Sequence, residues 1–423
     1  MKRNFEISWL SRYQFPWQHH FRTTPNQLKW LKTNNTSKTR QSSVSSKTWA
    51  MFTSQRPLIL LLTVFGVFAY EFEPLRDGGW KLQLYCIAVN FLISIMFGMN
   101  AIEYVATYDE FLGDVSTVTF YCLLLECVAV QFNNLTIMYC IFIKKHQQIA
   151  LLKVLKTTED ELANLPFTGE AIKEFHRRLR ISSWFYISGT FVFFVFLEIL
   201  FAYVLIMNKE SVSHWVQVFI YSTITCTFML YVVFLIHIVM TVGFLFDVIN
   251  VNLEKFIERS DFYQNDIGQL MKLHFDLIIL IENFNSVFGF SIIGMFIFLF
   301  TVTAFESFYI YVSIVRDLFG KAHQFIIYAI ANMCWELPLF ILMHILGISC
   351  SKVQDSIEET KKILRSIEGR QLPMTTVNKQ LTNLLQLDTR FTANGFFFID
   401  SSFVYNVSCG TFKQSCNKFL SPF

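Results

Sequence analysis

Charge and proline are scarce in this chain. Charged residues make up 16% of its 423 positions and only eight residues are proline, against about a quarter charged in an ordinary soluble domain. A water-facing surface needs more charge than that, which excludes a soluble globular domain of this size. The net charge of +3 is too small for a nucleic-acid surface, and no ladder of basic and aromatic residues of the kind that grips single strands is present. The nine histidines are scattered. No His-Glu-x-x-His, nucleophile elbow or glycine-rich phosphate loop occurs, so the sequence is not read as an enzyme and no cofactor is expected. The nine cysteines, at 86, 122, 127, 140, 226, 334, 350, 409 and 416, sit mostly in apolar runs without Cys-x-x-Cys spacing. They read as small buried hydrophobes, and no metal site is expected. The first fifty residues lack the apolar core of a secretory signal, so insertion into a membrane is expected to start at an internal span.

What the chain has in excess is apolar surface: 53% of residues, with 48 phenylalanines. Seven runs, over 82–99, 116–143, 183–207, 215–245, 287–312, 323–348 and from 394 onward, are long enough to cross about 30 Å of hydrocarbon as helices. Period-2 alternation is absent, which removes the closed barrel, the one other structure that satisfies its backbone in lipid. The fold class is therefore all-α, a polytopic membrane protein with seven transmembrane helices. Lysine and arginine set its orientation. The amino-terminal segment and the loops 144–182, 246–286 and 349–393 together hold thirty, whereas the alternate loops hold three, Lys209, Arg316 and Lys321. The amino terminus is expected in the cytoplasm and the carboxyl terminus outside, opposite to a G-protein-coupled receptor.

Along the chain, residues 1–56 are polar and read as a largely disordered cytoplasmic tail. Residues 57–70 are apolar but too short to span, and read as a short interfacial helix anchored by Arg56. Spans one to four lie within 71–246, cytoplasmic helical extensions in 247–286, spans five and six in 287–348, cytoplasmic anchor helices in 349–393, and the last span in 394–423. Leu270, Leu273, Leu277, Leu280, Phe284 and Val287 recur every three or four residues, carrying one amphipathic helix into the fifth span. Val353, Ile357, Leu364 and Ile367 mark another after the sixth. Such stripes are buried either within one subunit or against neighbours in an oligomer.

Charged and amide side chains in spans are costly and are functional candidates by default. The candidates for a ligand pocket are Glu126, Gln131, Glu198, His237, Glu306, Asn332, Trp335 and Glu336. Aromatic rings beside one or two polar groups are what a small-molecule site needs; the alternative for each is a polar pair that merely joins two helices.

Residues 391–403 read FTANGFFFIDSSF, a block that resembles the signature opening the last span of the insect gustatory receptors, within the wider insect chemoreceptor family. Leu270, His274 and the run Asn283-Phe284-Asn285-Ser286-Val287-Phe288-Gly289 resemble that family's entry to the fifth span. The resemblance implies a ligand-gated, non-selective cation channel in the plasma membrane of sensory-neuron dendrites. It implies a homo- or hetero-tetramer in which the last span of each subunit lines a central pore, with Phe396, Phe397, Asp400, Phe403, Val404 and Val407 as pore-lining candidates. The partners it implies are small tastants such as sugars or bitter compounds, membrane lipid and related subunits, with no nucleic acid. A secondary transporter is the competing class, although no internal repeat is visible and Pro338 is the clear proline inside a span. An odorant receptor subunit is the other alternative, disfavoured by the GFFFID block. The end departs from the family: where an apolar Thr-Tyr to Gln-Phe close is expected, Lys413, Gln414, Ser415, Asn417 and Lys418 follow. Val407-Ser408 at that boundary is what in-frame translation of an intron start gives, so a retained intron or alternative terminal exon is expected there.

Overall fold

Helices longer than a bilayer is thick dominate the fold. The computed structural model describes residues 50–72, 75–112, 117–165, 168–208, 212–258, 264–317, 323–368 and 390–400. Among them the order is α1 (Ala50–Val64), β1 (Tyr70–Phe72), β2 (Leu75–Asp77), α2 (Trp80–Leu112), α3 (Thr117–Phe142), α4 (Lys145–Ala163), α5 (Gly169–Asn208), α6 (Val212–Glu258), α7 (Gln264–Asp317) and α8 (His323–Glu368). Six of these, α2, α3 and α5 to α8, are long and apolar enough to cross a membrane. They match six of the seven expected runs, and the seventh lies almost wholly beyond residue 400, outside the described residues.

At 1.5 Å per residue, the 54 residues of α7 extend about 80 Å, so well over half of this helix lies outside a 30 Å core. The excess is the amphipathic stripe expected from sequence. Leu270, Leu273, Leu277, Leu280, Phe284 and Val287 are all buried, on a helix that continues into the fifth span without a break. Val353, Ile357 and Leu364 of α8 are buried as well. These stripes are covered within the chain, since α8 packs on both α6 and α7.

The centre of the bundle is α6. From Phe228 to Asn250 every side chain is buried, the pattern of a helix apolar all round and surrounded on every side. Polar groups toward its carboxyl-terminal end are bonded to α8. Ser356 Oγ donates to Asp247 Oδ1 at 2.6 Å, Asn250 Nδ2 donates to the Ser356 carbonyl at 2.8 Å, and Thr360 Oγ1 donates to Asn250 Oδ1 at 2.5 Å. Helices α3 and α7 approach closely at Gly294, where a Cβ would stand 2.2 Å from Thr136 Oγ1.

Three features differ from expectation. Helix α1 starts at Ala50 and stops at Val64, whereas an interfacial helix was expected over 57–70. Its Met51, Leu58 and Leu62 are buried because it packs on α5 and α6. The helix ends where Gly66 adopts φ +74 and Val67 N donates to Leu62 O at 2.8 Å, a left-handed stop that glycine makes without strain. A hairpin of β1 and β2 follows, pairing Tyr70 with Asp77. The expected inner loop 144–182 holds a helix, α4, whose Ile149, Leu152, Leu155 and Leu162 are buried.

Candidate functional site

Three of the spans bring two carboxylates to one level. Glu126 lies nine residues into α3, Tyr221 nine residues into α6 and Glu198 ten residues before the end of α5. Each is about 14–15 Å of helix rise from the helix ends next to residues 113–116 and 209–211, the end expected outside from the lysine and arginine count. Tyr221 is the hub. Its hydroxyl donates to Glu126 Oε1 at 3.1 Å, its ring lies 6.3 Å from that of Phe97 on α2, and it packs on the Leu197–Phe201 cluster of α5. The hydroxyl of the neighbouring Ser222 lies beside the Glu198 carboxyl. Ser222 Oγ and Glu198 Oε1 are both buried, and beyond each other they have no hydrogen-bond partner among the described residues.

The other candidates are placed elsewhere. Gln131 Nε2 donates to the Ser94 carbonyl of α2 at 3.5 Å, and Asn134 Nδ2 donates to Ser94 Oγ at 2.9 Å. That is a helix-joining contact, one of the two roles open to such residues. His237 is fully buried deeper in α6, with Nε2 3.4 Å from Ser182 Oγ and its ring 6.0 Å from that of Tyr186, sixteen residues from Tyr221 and so not part of the same group. Glu306 lies on α7 and Asn332, Trp335 and Glu336 on α8; their side chains are outside the described ones.

The block 391–400 does not start a helix. Asn394 and Gly395 have φ of +50 and +81, and the chain folds back so that Ala393 N donates to Phe397 O and Ile399 N to Phe391 O, each at 2.9 Å. This corrects the expectation that the last helix opens at Asn394; Phe396, one of the pore-lining candidates, is 78% exposed at the tip of the turn. Asp400 is likewise in non-helical chain, while Phe403, Val404 and Val407 lie outside the described residues. The turn is fixed to α7. Asn285 Nδ2 donates to the Arg390 carbonyl at 3.0 Å and its Oδ1 accepts from Thr392 N at 2.9 Å. Phe391 meets Phe284 edge to face at 5.4 Å, and Phe397 meets Phe296 at 5.1 Å. The absence of a side chain at Gly289 admits the backbone of Asn394, for a Cβ there would stand 2.3 Å from Asn394 N.

The two sequence blocks singled out separately, 283–289 and 391–403, thus form one joint. The family model described as 7tm chemosensory receptor matches residues 55–412, which takes in both blocks and every described span. The chain belongs to the 7tm chemosensory receptor family. Gustatory receptor 68a of Drosophila melanogaster is 26% identical to this receptor over 127 residues, 30% of this chain and 33% of that one, so the alignment spans a third of the relative's length. The fold is similar to that of the insect olfactory receptor OR5 from Machilis hrabei, at 13% identity and a TM-score of 0.55 over 85% of this chain and 96% of that one. The same olfactory receptor in complex with eugenol matches at 12% identity and a TM-score of 0.55, over 88% of this chain and 99% of that one. This chemosensory receptor is accordingly a multi-pass helical membrane protein.

Sequence reasoning missed Tyr221 and Ser222, because hydroxyl groups are ordinary in spans and nothing marks two of them as facing carboxylates on other helices. Asn285 stood inside a quoted run, but its role as a clamp depends on a segment more than 100 residues away.

Proposed function

We propose that this receptor is a gustatory receptor working as a ligand-gated, non-selective cation channel in the plasma membrane of a sensory-neuron dendrite. Small tastants enter from the outer side among α2, α3, α5 and α6, and four like or related subunits place their last spans around a shared pore. The observation that carries the reading is the gathering of Glu126, Glu198, Tyr221 and Ser222 at one depth between spans. Carboxylates at such depth are costly unless they serve a ligand or a partner, and aromatic walls with a few polar groups are how small-molecule sites fix orientation. The joint between α7 and 390–400 supports the second half of the reading, since it ties a core helix to the chain that enters the last span. A ligand that binds one arrangement of the helices better than another shifts the population toward it.

The test is whole-cell current during a panel of tastants, in cells expressing this chain beside a version whose residues after Asn406 carry an apolar Thr-Tyr to Gln-Phe ending. Cation current in at least the repaired version is expected. Silence of both at confirmed surface expression, without a partner subunit and with one, overturns the channel reading and moves the transporter forward.

A further inference from the structure

We infer that the Glu126–Glu198 site is built for an organic cation, a protonated amine carried on an aromatic or apolar frame. The inference deepens the receptor reading of the same site and rests on it for the route by which a ligand arrives.

Charge balance comes first. Between Lys81 and Lys144 the sequence has no lysine or arginine, and between Arg180 and Lys255 it has Lys209 alone, which lies outside the described residues. Around the site the described side chains therefore include the carboxyls of Glu126 and Glu198 and no lysine or arginine. A lone carboxylate out of water is unfavourable by far more than one neutral hydrogen bond returns. The contact Glu126 has from Tyr221 is such a neutral bond.

The unsatisfied atoms come second. Ser222 is 1% exposed, and its hydroxyl lies beside the Glu198 carboxyl, with Ser222 Oγ and Glu198 Oε1 both buried and in hydrogen-bond geometry with no other group among the described residues. Buried polar groups are satisfied in the great majority of native structures, and what would satisfy these two is a group that donates hydrogen bonds and carries positive charge. A sugar hydroxyl answers the first need and supplies no counter-charge to either acid. An ammonium group answers both. The rings come third: Phe97 and Tyr221 lie 6.3 Å apart with their planes 31° from parallel, beside the Glu126 carboxylate, and aromatic faces attract cations most where water is excluded.

The test uses the full chain purified into lipid nanodiscs and reads ligand binding by the shift in thermal unfolding over a titration, so that it does not depend on current. Two pairs of probes differ in charge and little in size, each cation being a primary ammonium that donates hydrogen bonds: 2-phenylethylammonium against 2-phenylethanol, and cyclohexylmethylammonium against cyclohexylmethanol. Each cation is expected to bind at least tenfold more tightly than its neutral partner. Glu198→Gln and Glu126→Gln are each expected to weaken the cation at least tenfold and to leave the neutral probe unchanged, whereas Thr157→Ala, on the exposed face of α4, changes neither. If a glutamine variant does not fold, Ser222→Ala takes its place, with a loss of about threefold or more. Equal binding within each pair, as expected of uncharged acids, overturns the inference. So does binding of neither cation, or cation binding that all three site variants leave intact. Cation binding without evoked current in any subunit combination refutes the channel reading and leaves the ligand class standing.

Discussion

Asn285 holds the turn at 390–400, and removing its side chain should release it. Its amide makes two hydrogen bonds to the backbone of one short segment, 3.0 Å to the Arg390 carbonyl and 2.9 Å from Thr392 N. Neither is deeply buried, so each contributes about 0.5–1 kcal/mol net, and Asn285→Ala weakens docking of 390–400 by about 1–2 kcal/mol. A difference of 1.4 kcal/mol is a factor of ten in the docked population. Hydrogen exchange on the full receptor reads this directly, because the amides of Ala393, Phe396 and Ile399 are bonded inside the turn and lose protection about tenfold when it opens. Asn285→Asp keeps the acceptor for Thr392 N and loses the donor to Arg390, so it should fall between. Gly289→Ala should act more strongly than either, since its new methyl stands 2.3 Å from a backbone nitrogen and the turn has to leave its seat. If Asn285→Ala leaves exchange across 391–399 unchanged while Gly289→Ala alters it, the two hydrogen bonds do not hold the turn and apolar contact alone does.

Three further outcomes are expected. Tyr221→Phe removes the donor to Glu126 Oε1 and keeps the ring, so it should lower thermal stability by about 1–2 kcal/mol and raise the half-maximal ligand concentration severalfold. Gly294→Ala sets a methyl against Thr136 Oγ1 and should cost about 1–3 kcal/mol by overpacking α3 on α7; Thr136→Ala in the same chain should recover part of it, as a double-mutant cycle on melting in detergent would show. Ser356→Ala strips a 2.6 Å bond from buried Asp247 and should destabilise the carboxyl-terminal end of α6 by about 1–3 kcal/mol, seen as melting and as faster exchange in α8.

What could be read from sequence was what depends on composition and period. Six spans were located because each is an apolar run of fixed minimum length, and the helix before the fifth span because leucines at 270, 273, 277 and 280 keep the helical spacing. Helix ends were misjudged where the chain leaves the lipid: α2 runs to Leu112 although its apolar run stops near 99, because nothing in hydropathy marks a helix that continues into polar surroundings. Helix α4 was missed for the same reason, its buried stripe being diluted by Lys153, Lys156, Glu159, Asp160 and Glu161. The turn at 391–400 was mistaken for helix because three successive phenylalanines look like a span; the Asn394-Gly395 pair, which takes positive φ, was the local signal against it. Glu126 and Glu198 stood out as charges in lipid, but that they share a level while Gln131 and His237 do not is decided by which helices touch.

The burial of α6 bears on how the two ends of the receptor communicate. Tyr221, in the candidate site, and Asp247, bonded to Ser356 of α8, are 26 residues apart on one helix, about 39 Å, and from Phe228 onward no side chain on that path is exposed. A close-packed interior resists gradual deformation, so a displacement that a ligand imposes at Tyr221 reaches Asp247 as movement of the whole helix or is absorbed before Phe228, where partly exposed Thr223 and Thr227 border the core. Both threonines donate to the carbonyl four residues back, Phe219 and Thr223, at 2.8 Å, a bond that favours bending. The four turns of α6 before Phe228 are therefore its compliant part and the remainder is its lever. Alanine at both threonines stiffens these turns, and if α6 transmits as a lever this should sharpen the response to ligand, with unchanged binding and a larger current at saturation; a weaker current at unchanged binding would mean that bending, and not rigid movement, carries the signal inward.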